Sequence, residues 1–317
     1  RLRLFATARS AGKRMAVGGE EIEIEETSAP GMREQDIVLF AGGDDASRNF
    51  AWTVAAAGGV AVDNSSTWRM DPRVPLVIPE VNGHALHGHQ GVVANPNCTA
   101  AVLVMALHPL HRAAGVRRAV VATYQSVSGG GADNMRALLE QTRALLADPE
   151  AVNSGDLDRI EALTGTRNPL AFNVLPQVGS FKKDMGGNTT EEVKMLNETR
   201  KILGDPGIRV ASTCVRVPVF YGHSEVLNIE FEKPMSPDRA REILSRAPGV
   251  RVVDDPAAGS YPLPIDTAGK DDVLVGRIRA DDSVENGLAL FAAGDNIRKG
   301  AALNAVQIAE RLFTGGA

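Results

Sequence analysis

The stretch IVLFAGGDDASRNFAWTVAAAGGVAVD, residues 37–63, decides the fold. Ile37-Val38-Leu39-Phe40-Ala41 and Gly59-Val60-Ala61-Val62-Asp63 are short, continuous apolar runs, the pattern of buried parallel strands rather than half-exposed ones. Between them, residues 47–58 carry Phe50, Val54 and Ala57 at helical spacing and stop at Gly58-Gly59. Strand, helix and strand at this spacing make a βαβ unit, and a doubly wound sheet follows.

Working outward, residues 2–6 and 21–24 read as further strands. A helix is expected over 99–114, apolar for most of its length and closed by Gly115, then a strand over 116–124. Beyond this the pattern changes. A helix over 135–146 precedes a loop-rich region with Pro169, Pro176 and Gly179, and a helix over 191–203 follows. Segments 209–220 and 226–231 read as strands, 237–246 as a helix, 272–279 and 288–293 as strands, and 301–313 as a closing helix. Two lobes are expected, the second α+β with an extended sheet.

The 317 residues are 44% hydrophobic and 23% charged, ample for a sizeable core. Lys and Arg total 34 against 39 for Asp and Glu, a net charge of −5, which argues against a nucleic-acid face or a polybasic membrane anchor. Only 4% of residues are aromatic, so stacking platforms for single strands are few. No apolar run reaches the roughly 18 residues of a membrane span, and Arg1 to Phe5 lack a signal-peptide layout. Two cysteines, Cys98 and Cys214, cannot staple a secreted scaffold, so a reduced, cytoplasmic setting and small-molecule partners are expected.

Asn95-Pro96-Asn97-Cys98-Thr99 is the sharpest chemical feature. Its turn formers place Cys98 at a helix N-terminus, where free N–H groups and the macrodipole favour thiolate over thiol. Such a sulfur is a nucleophile; the plain alternative is a small buried hydrophobe. In Arg216-Val217-Pro218-Val219-Phe220-Tyr221-Gly222-His223, an alternating strand puts Arg216 and Pro218 on one face, and a turn at Gly222 presents His223. The imidazole could serve as acid and base and Arg216 could clamp a carboxylate; the alternative is a surface His and a solvated Arg. Tyr124-Gln125-Ser126-Val127-Ser128-Gly129-Gly130-Gly131 allows a close backbone approach to a ligand, or is a flexible loop. Arg69, in Asn64-Ser65-Ser66-Thr67-Trp68-Arg69, sits at a strand's carboxyl end and is a candidate anion contact. Glu191 and Lys194 read equally as a solvated helix face. Cys214, within an apolar strand, reads as structural.

Together with Asn197 to Gly204 and Gly294-Asp295-Asn296-Ile297-Arg298-Lys299-Gly300-Ala301-Ala302, these motifs resemble the aspartate-β-semialdehyde dehydrogenase family in its bacterial form, in order and along essentially the whole chain. The resemblance implies an α/β fold: a Rossmann-type NADP-binding domain over 1–97 and 298–317, and an α+β catalytic and dimerisation domain over 98–297. It implies a cytoplasmic homodimer or homotetramer, active in lysine, threonine, methionine and diaminopimelate biosynthesis. The reaction implied is the reversible NADPH-dependent reduction of L-aspartyl 4-phosphate to L-aspartate 4-semialdehyde and phosphate. Cys98 would form the thioester that accepts hydride, His223 would be the acid and base, and Gln125 would orient the substrate. Arg216 would hold the α-carboxylate, Glu191 the ammonium group, and Arg69 and Lys194 the phosphate, with Asn97 also at the substrate. Gly42, Ser128, Gly129 and Asn296 would contact the cofactor.

Charge speaks to the cofactor independently. Arg9, Ser10 and Lys13 after the first strand suit a 2′-phosphate, where an NAD site usually carries an acid. The family's opening strand and Gly-x-x-Gly-x-x-Gly turn are not in this sequence, which starts near the family's second strand. Residues ahead of Arg1 in the natural molecule are therefore expected, because a sheet without its central strand exposes apolar edges. Two other readings compete: an N-acetylglutamyl-phosphate reductase-like enzyme, against which the Glu191 and Arg216 pair argues, and a cofactor-free Cys/His acyl hydrolase. A non-catalytic dimerising remnant is least compatible with Cys98, Gln125 and His223 together.

Overall fold

The computed structural model describes residues 1–314 and divides the chain into two compact units. The first comprises residues 1–77, 83–95 and those from Ala305 on, and the second Ile78–Asn82 and Pro96–Asn304. Residues 78–82, 96–97 and 298–304 thus fall in the second unit, where the sequence division assigns them to the first.

In the first unit, strands β1 (Leu4–Ala6), β2 (Arg14–Val17) and β3 (Glu20–Glu26) form one sheet in the order β1-β3-β2. The β2–β3 hairpin turns on Gly18 and Gly19, at φ 60° and 88°. Two consecutive left-handed residues match the twist of the flanking strands, and glycine adopts them without a Cβ penalty. After α1 (Ala29–Arg33) come β4 (Ile37–Phe40), α2 (Asp44–Ala56), β5 (Val60–Asp63) and β6 (Val92–Ala94), with all three strands parallel in the order β4-β5-β6. The βαβ expectation holds. The central strand β5 is buried as its apolar run requires, whereas β4 pairs only with β5 among the described residues and Leu39 is 44% exposed. Val62, Val77, Leu86 and Val93 pack with Ala305 and Ile308 of the closing helix into one core.

The second unit begins with α3 (Pro79–Asn82) and α4 (Cys98–Ala114). Residues 99–107 of α4 are all buried, so this helix is the spine of the unit. Strand β7 (Val116–Gln125) leads through helices α5 (Ala132–Ala147), α6 (Pro149–Ser154) and α7 (Leu157–Thr164) to α8 (Thr190–Leu203). Then follow β8 (Arg209–Arg216), β9 (His223–Phe231), α9 (Pro237–Ser245), β10 (Val250–Val252), α10 (Pro264–Thr267), β11 (Val273–Ala280) and β12 (Gly287–Gly294), and α11 (Leu303–Thr314) closes the chain. The six strands make one mixed sheet in the order β10-β11-β12-β9-β7-β8.

Strand β8 stops at Arg216 rather than running on to Phe220, so the strand alternation of Arg216 with Pro218 is not realised. Val217 N–H still donates to Gln125 O, but Pro218 has no N–H to continue the ladder. The freed residues turn and deliver His223 as the first residue of β9. No helix among the described residues is long and apolar enough to cross a membrane.

Candidate active site

Asn97 caps α4: its Oδ1 accepts from the N–H groups of Thr99 and Ala100 at 3.1 and 3.2 Å, satisfying donors the helix leaves unpaired. Helix α8 grips the same residue twice. Asn97 N–H donates to Glu198 Oε2 at 2.7 Å and Asn97 Nδ2 to Glu191 Oε1 at 2.9 Å. These two glutamates lie two helical turns apart and so share one face of α8. The helix is itself fixed by a capping box between Thr189 and Glu192. Cys98, the first residue of α4, therefore stands on a turn clamped by two buried carboxyl groups.

Cys98 Sγ lies 3.2 Å from His223 Nε2. The ring is fully buried, and its Nδ1 accepts from Ser126 N–H at 3.1 Å. A main-chain N–H can only donate, so Nδ1 of the neutral ring carries no proton and Nε2–H faces the sulfur. Burial first, then the Arg216 charge, push the His223 pKa down to about 3 against a raising effect of Glu191. The neutral imidazole is thus a hydrogen-bond donor to Cys98, an arrangement suited to a thiolate.

Around this pair the sheet brings polar side chains onto one face. Gln125 and Arg216 are register partners at the ends of β7 and β8. Gln125 Nε2 donates to Glu191 Oε1 at 3.2 Å, and Arg216 Nη1 donates to Ser126 O at 2.6 Å. Glu191 is 6% exposed, so the solvated-face reading of this residue does not hold. Its burial favours the neutral form, but the Lys194 charge and hydrogen bonds from Asn97, Lys194 and Gln125 outweigh it and hold the carboxyl below its ordinary pKa. Lys194 Nζ donates to Glu191 Oε2 at 3.2 Å and keeps part of its side chain in solvent. Asn296 Oδ1 accepts from Ser126 Oγ, Ser128 Oγ and Gly222 N–H, while Asn296 Nδ2 donates to Ser128 Oγ. A Cβ on Gly129 would stand 2.9 Å from His223 Cε1, so only glycine fits beside the ring without moving it.

The second unit thus gathers Cys98, His223, Gln125, Arg216, Glu191, Lys194, Asn97, Ser128, Gly129 and Asn296. Arg69, Arg9, Ser10 and Gly42 lie in the first unit. Arg69 is buried, with its Nε donating to Asn95 O and its Nη2 to Asn64 O. Arg9 and Ser10 occupy the turn after β1, and Gly42 precedes α2 at the carboxyl end of β4. Ser126, Glu198 and Thr99 escaped the sequence reading as site residues. Their partners lie far along the chain, although the N-cap pattern around Asn97 already pointed to Thr99.

Glu225 was also missed. It is wholly buried on β9, two residues beyond His223 on the same face, and neither carboxyl oxygen has a hydrogen-bond partner. Burial raises its pKa well above the ordinary carboxyl value, so the folded state holds a proton that the unfolded chain releases. Stability from this group is full below the unfolded-state pKa. It falls as pH rises towards the folded value, by about 1.4 kcal/mol per pH unit. Urea unfolding of Glu225→Gln should show that slope reduced relative to wild type above pH 5; parallel slopes would contradict a protonated Glu225.

Known proteins resemble this chain along nearly its whole length. Residues 1–89 match the family described as semialdehyde dehydrogenase, NAD binding domain, and residues 107–299 the one described as semialdehyde dehydrogenase, dimerisation domain. Aspartate-semialdehyde dehydrogenase of Streptomyces akiyoshiensis is 48% identical over 311 residues, 98% of this chain and 89% of that protein. The enzyme of the same name from Aquifex aeolicus is 47% identical, covering 99% and 90%. The crystal structure of aspartate semialdehyde dehydrogenase II from Vibrio cholerae superposes with a TM-score of 0.89 at 38% identity, covering 99% of this chain and 90% of that one. That enzyme has also been crystallised complexed with ASA. The chain belongs to the aspartate-semialdehyde dehydrogenase family.

Proposed function

We propose that the chain catalyses the reversible, NADP-dependent interconversion of L-aspartyl 4-phosphate with L-aspartate 4-semialdehyde and phosphate, through a thioester on Cys98. The observation that carries this reading is the Cys98–His223 contact of 3.2 Å at the start of α4, ringed by Gln125, Arg216 and Glu191. In the reductive direction Cys98 Sγ attacks the acyl carbon, forming the C–S bond as the C–O bond to phosphate breaks. His223 Nε2–H donates to the thiolate before attack, and donates to it again when the thiohemiacetal alkoxide expels the sulfur as the aldehyde forms. Gln125 orients the carbonyl, and Asn97 holds Glu191 towards the substrate.

A substrate with one ammonium, one α-carboxylate and one phosphate needs one acid and several cations. Glu191, Arg216 and Lys194 supply these in the second unit. The phosphate role of Arg69 rests on the family resemblance. For the same reason an N-acetylated substrate, which lacks the ammonium group, is disfavoured. Arg216→Lys should raise KM for the semialdehyde about tenfold, because a point charge replaces a planar fork. Unchanged KM would remove Arg216 from carboxylate binding.

The chain's residues fit a nicotinamide dinucleotide. Only one N–H of the Asn296 carboxamide has a partner among the described residues, leaving the other for a ligand carboxamide. The Gly42-Gly43 turn sits at the carboxyl end of a parallel strand, with Gly43 at φ 84° and no side chain capping α2, a place where open sheets bind nucleotides. Ser128 and Gly129 would line the nicotinamide end and Arg9 and Ser10 the 2′-phosphate. The cofactor supplies the hydride acceptor and donor when bound.

A homodimer is the assembly we favour. The second unit matches a dimerisation domain, and one sheet face carries Tyr124 stacked on Phe291, centroids 6.5 Å apart, with Tyr124 40% exposed. The cytoplasm is the compartment that keeps a nucleophilic Cys98 in the thiol form, outside any disulfide. The test is NADP reduction by aspartate semialdehyde: turnover should require phosphate. Turnover without phosphate, yielding aspartate, would instead support the hydrolytic relative of this chemistry.

A further inference from the structure

We infer that the π-turn at Arg298–Ala302 sets the spacing of the Cys98–His223 pair, with Gly300 and Lys299 as positioning residues. The inference rests on Cys98 being the nucleophile and adds residues that touch neither substrate nor cofactor in the mechanism above.

The segment after β12 contacts both members of the pair. At one end, Asn296 Oδ1 accepts from Gly222 N–H, next to His223, and from Ser126 Oγ, whose main-chain N–H fixes the ring. At the other, Gly300 meets Cys98 so closely that a Cβ there would lie 2.8 Å from Cys98 Cβ and 3.2 Å from its Cα. Neither atom is the free end of a flexible side chain, so a methyl group must push the start of α4 itself. The three residues between these contacts, Ile297, Arg298 and Lys299, act as a spacer.

The spacer is wound wide and anchored. Gly300 N–H donates to Asp295 O at 3.1 Å and Ala302 N–H to Ile297 O at 2.8 Å, both five residues back, the mark of a π-turn, which in other proteins is frequent at functional sites. Asp295 Oδ1 accepts from the N–H groups of Ile297 and Arg298, closing the turn at its start. Lys299, 1% exposed, donates to Glu80 Oε2 at 2.5 Å and Asn304 Oδ1 at 2.9 Å. A buried, paired ammonium fixes geometry more surely than it adds stability. Here it locks the residue adjoining Gly300. Regular α-winding would change the rotation between Asn296 and Gly300 and move one contact off its partner.

The experiment is Gly300→Ala in the full chain, read by turnover and by alkylation of Cys98 with iodoacetamide in the absence of substrate and cofactor. We expect kcat to fall at least tenfold, KM for semialdehyde and NADP to stay within about twofold, and alkylation to slow with an altered pH profile. The double variant Lys299→Met with Glu80→Gln removes the buried pair without adding a group beside Cys98. It should slow alkylation in the same direction, and it decides the matter if Gly300→Ala does not fold. Alkylation and kcat within twofold of wild type in a folded variant would overturn the inference. Failure of the underlying mechanism would show differently, as activity retained in Cys98→Ala.

Discussion

Cys98→Ala loses phosphate-dependent turnover by on the order of 10⁴-fold or more while keeping the wild-type fold. The size of the effect follows from chemistry that only the sulfur performs. Without a thioester, the acyl phosphate must accept a hydride directly at a carbon deactivated by its oxygen substituent, and no neighbouring side chain replaces the nucleophile. Gln125, Arg216 and Glu191 would still bind substrate, so the loss should appear in kcat rather than KM. Stability should barely change, because Cys98 is half-buried and its turn is held through Asn97 by Glu191 and Glu198, contacts that the substitution leaves in place. Steady-state kinetics with circular dichroism of the variant checks both halves. Activity within tenfold of wild type would refute covalent catalysis.

His223→Ala is expected to cost about 10² to 10³-fold in kcat, the usual worth of one positioned hydrogen-bond donor to a reacting anion. The ring is neutral near pH 7 because burial and Arg216 depress its pKa to about 3. Its contribution is therefore the Nε2–H held towards sulfur. Removing it leaves the Cys98 thiolate with no donor at that position and leaves Ser126 N–H unpaired. His223→Asn returns an amide of smaller reach and should recover part of the loss. Because a buried ring is deleted, thermal unfolding is measured alongside. A folded alanine variant with near wild-type kcat would take His223 out of the chemistry.

Much of the fold was legible because the apolar runs are long enough to declare themselves. Val60 to Asp63 and the Val120-Val121-Ala122 run could only be interior strands. Asn97, by contrast, announced the start of α4 through a capping residue. Strand β2 escaped notice because it is four residues long, starts on a charged residue and lies exposed at a sheet edge, and β6 and β10 are only three residues long. Helices α6 and α7 fell in a stretch left unassigned, although Pro149 at the first turn, the Asp156 cap and left-handed Gly155 and Gly165 are all punctuation visible in sequence.

The candidate site divides in the same way. Cys98, Gln125, Arg216 and His223 stood out from their local motifs. Glu198, Ser126 and Gly300 act through partners about a hundred residues away or more, in contacts that no spacing rule reveals. Burial was the other hidden variable. It turned Glu191 from an apparent solvent-facing charge into a carboxylate with four polar side chains bonded to it, and it left Glu225 beneath the site without any.

The most direct test of the account is to mix the protein with aspartate semialdehyde and NADP in the absence of phosphate, quench with acid and weigh the peptide containing Cys98. The account predicts a single burst of NADPH no larger than the number of sites, with that peptide heavier by one aspartyl group and released by added phosphate. An unmodified Cys98 peptide from protein that turns over once phosphate is supplied would contradict it.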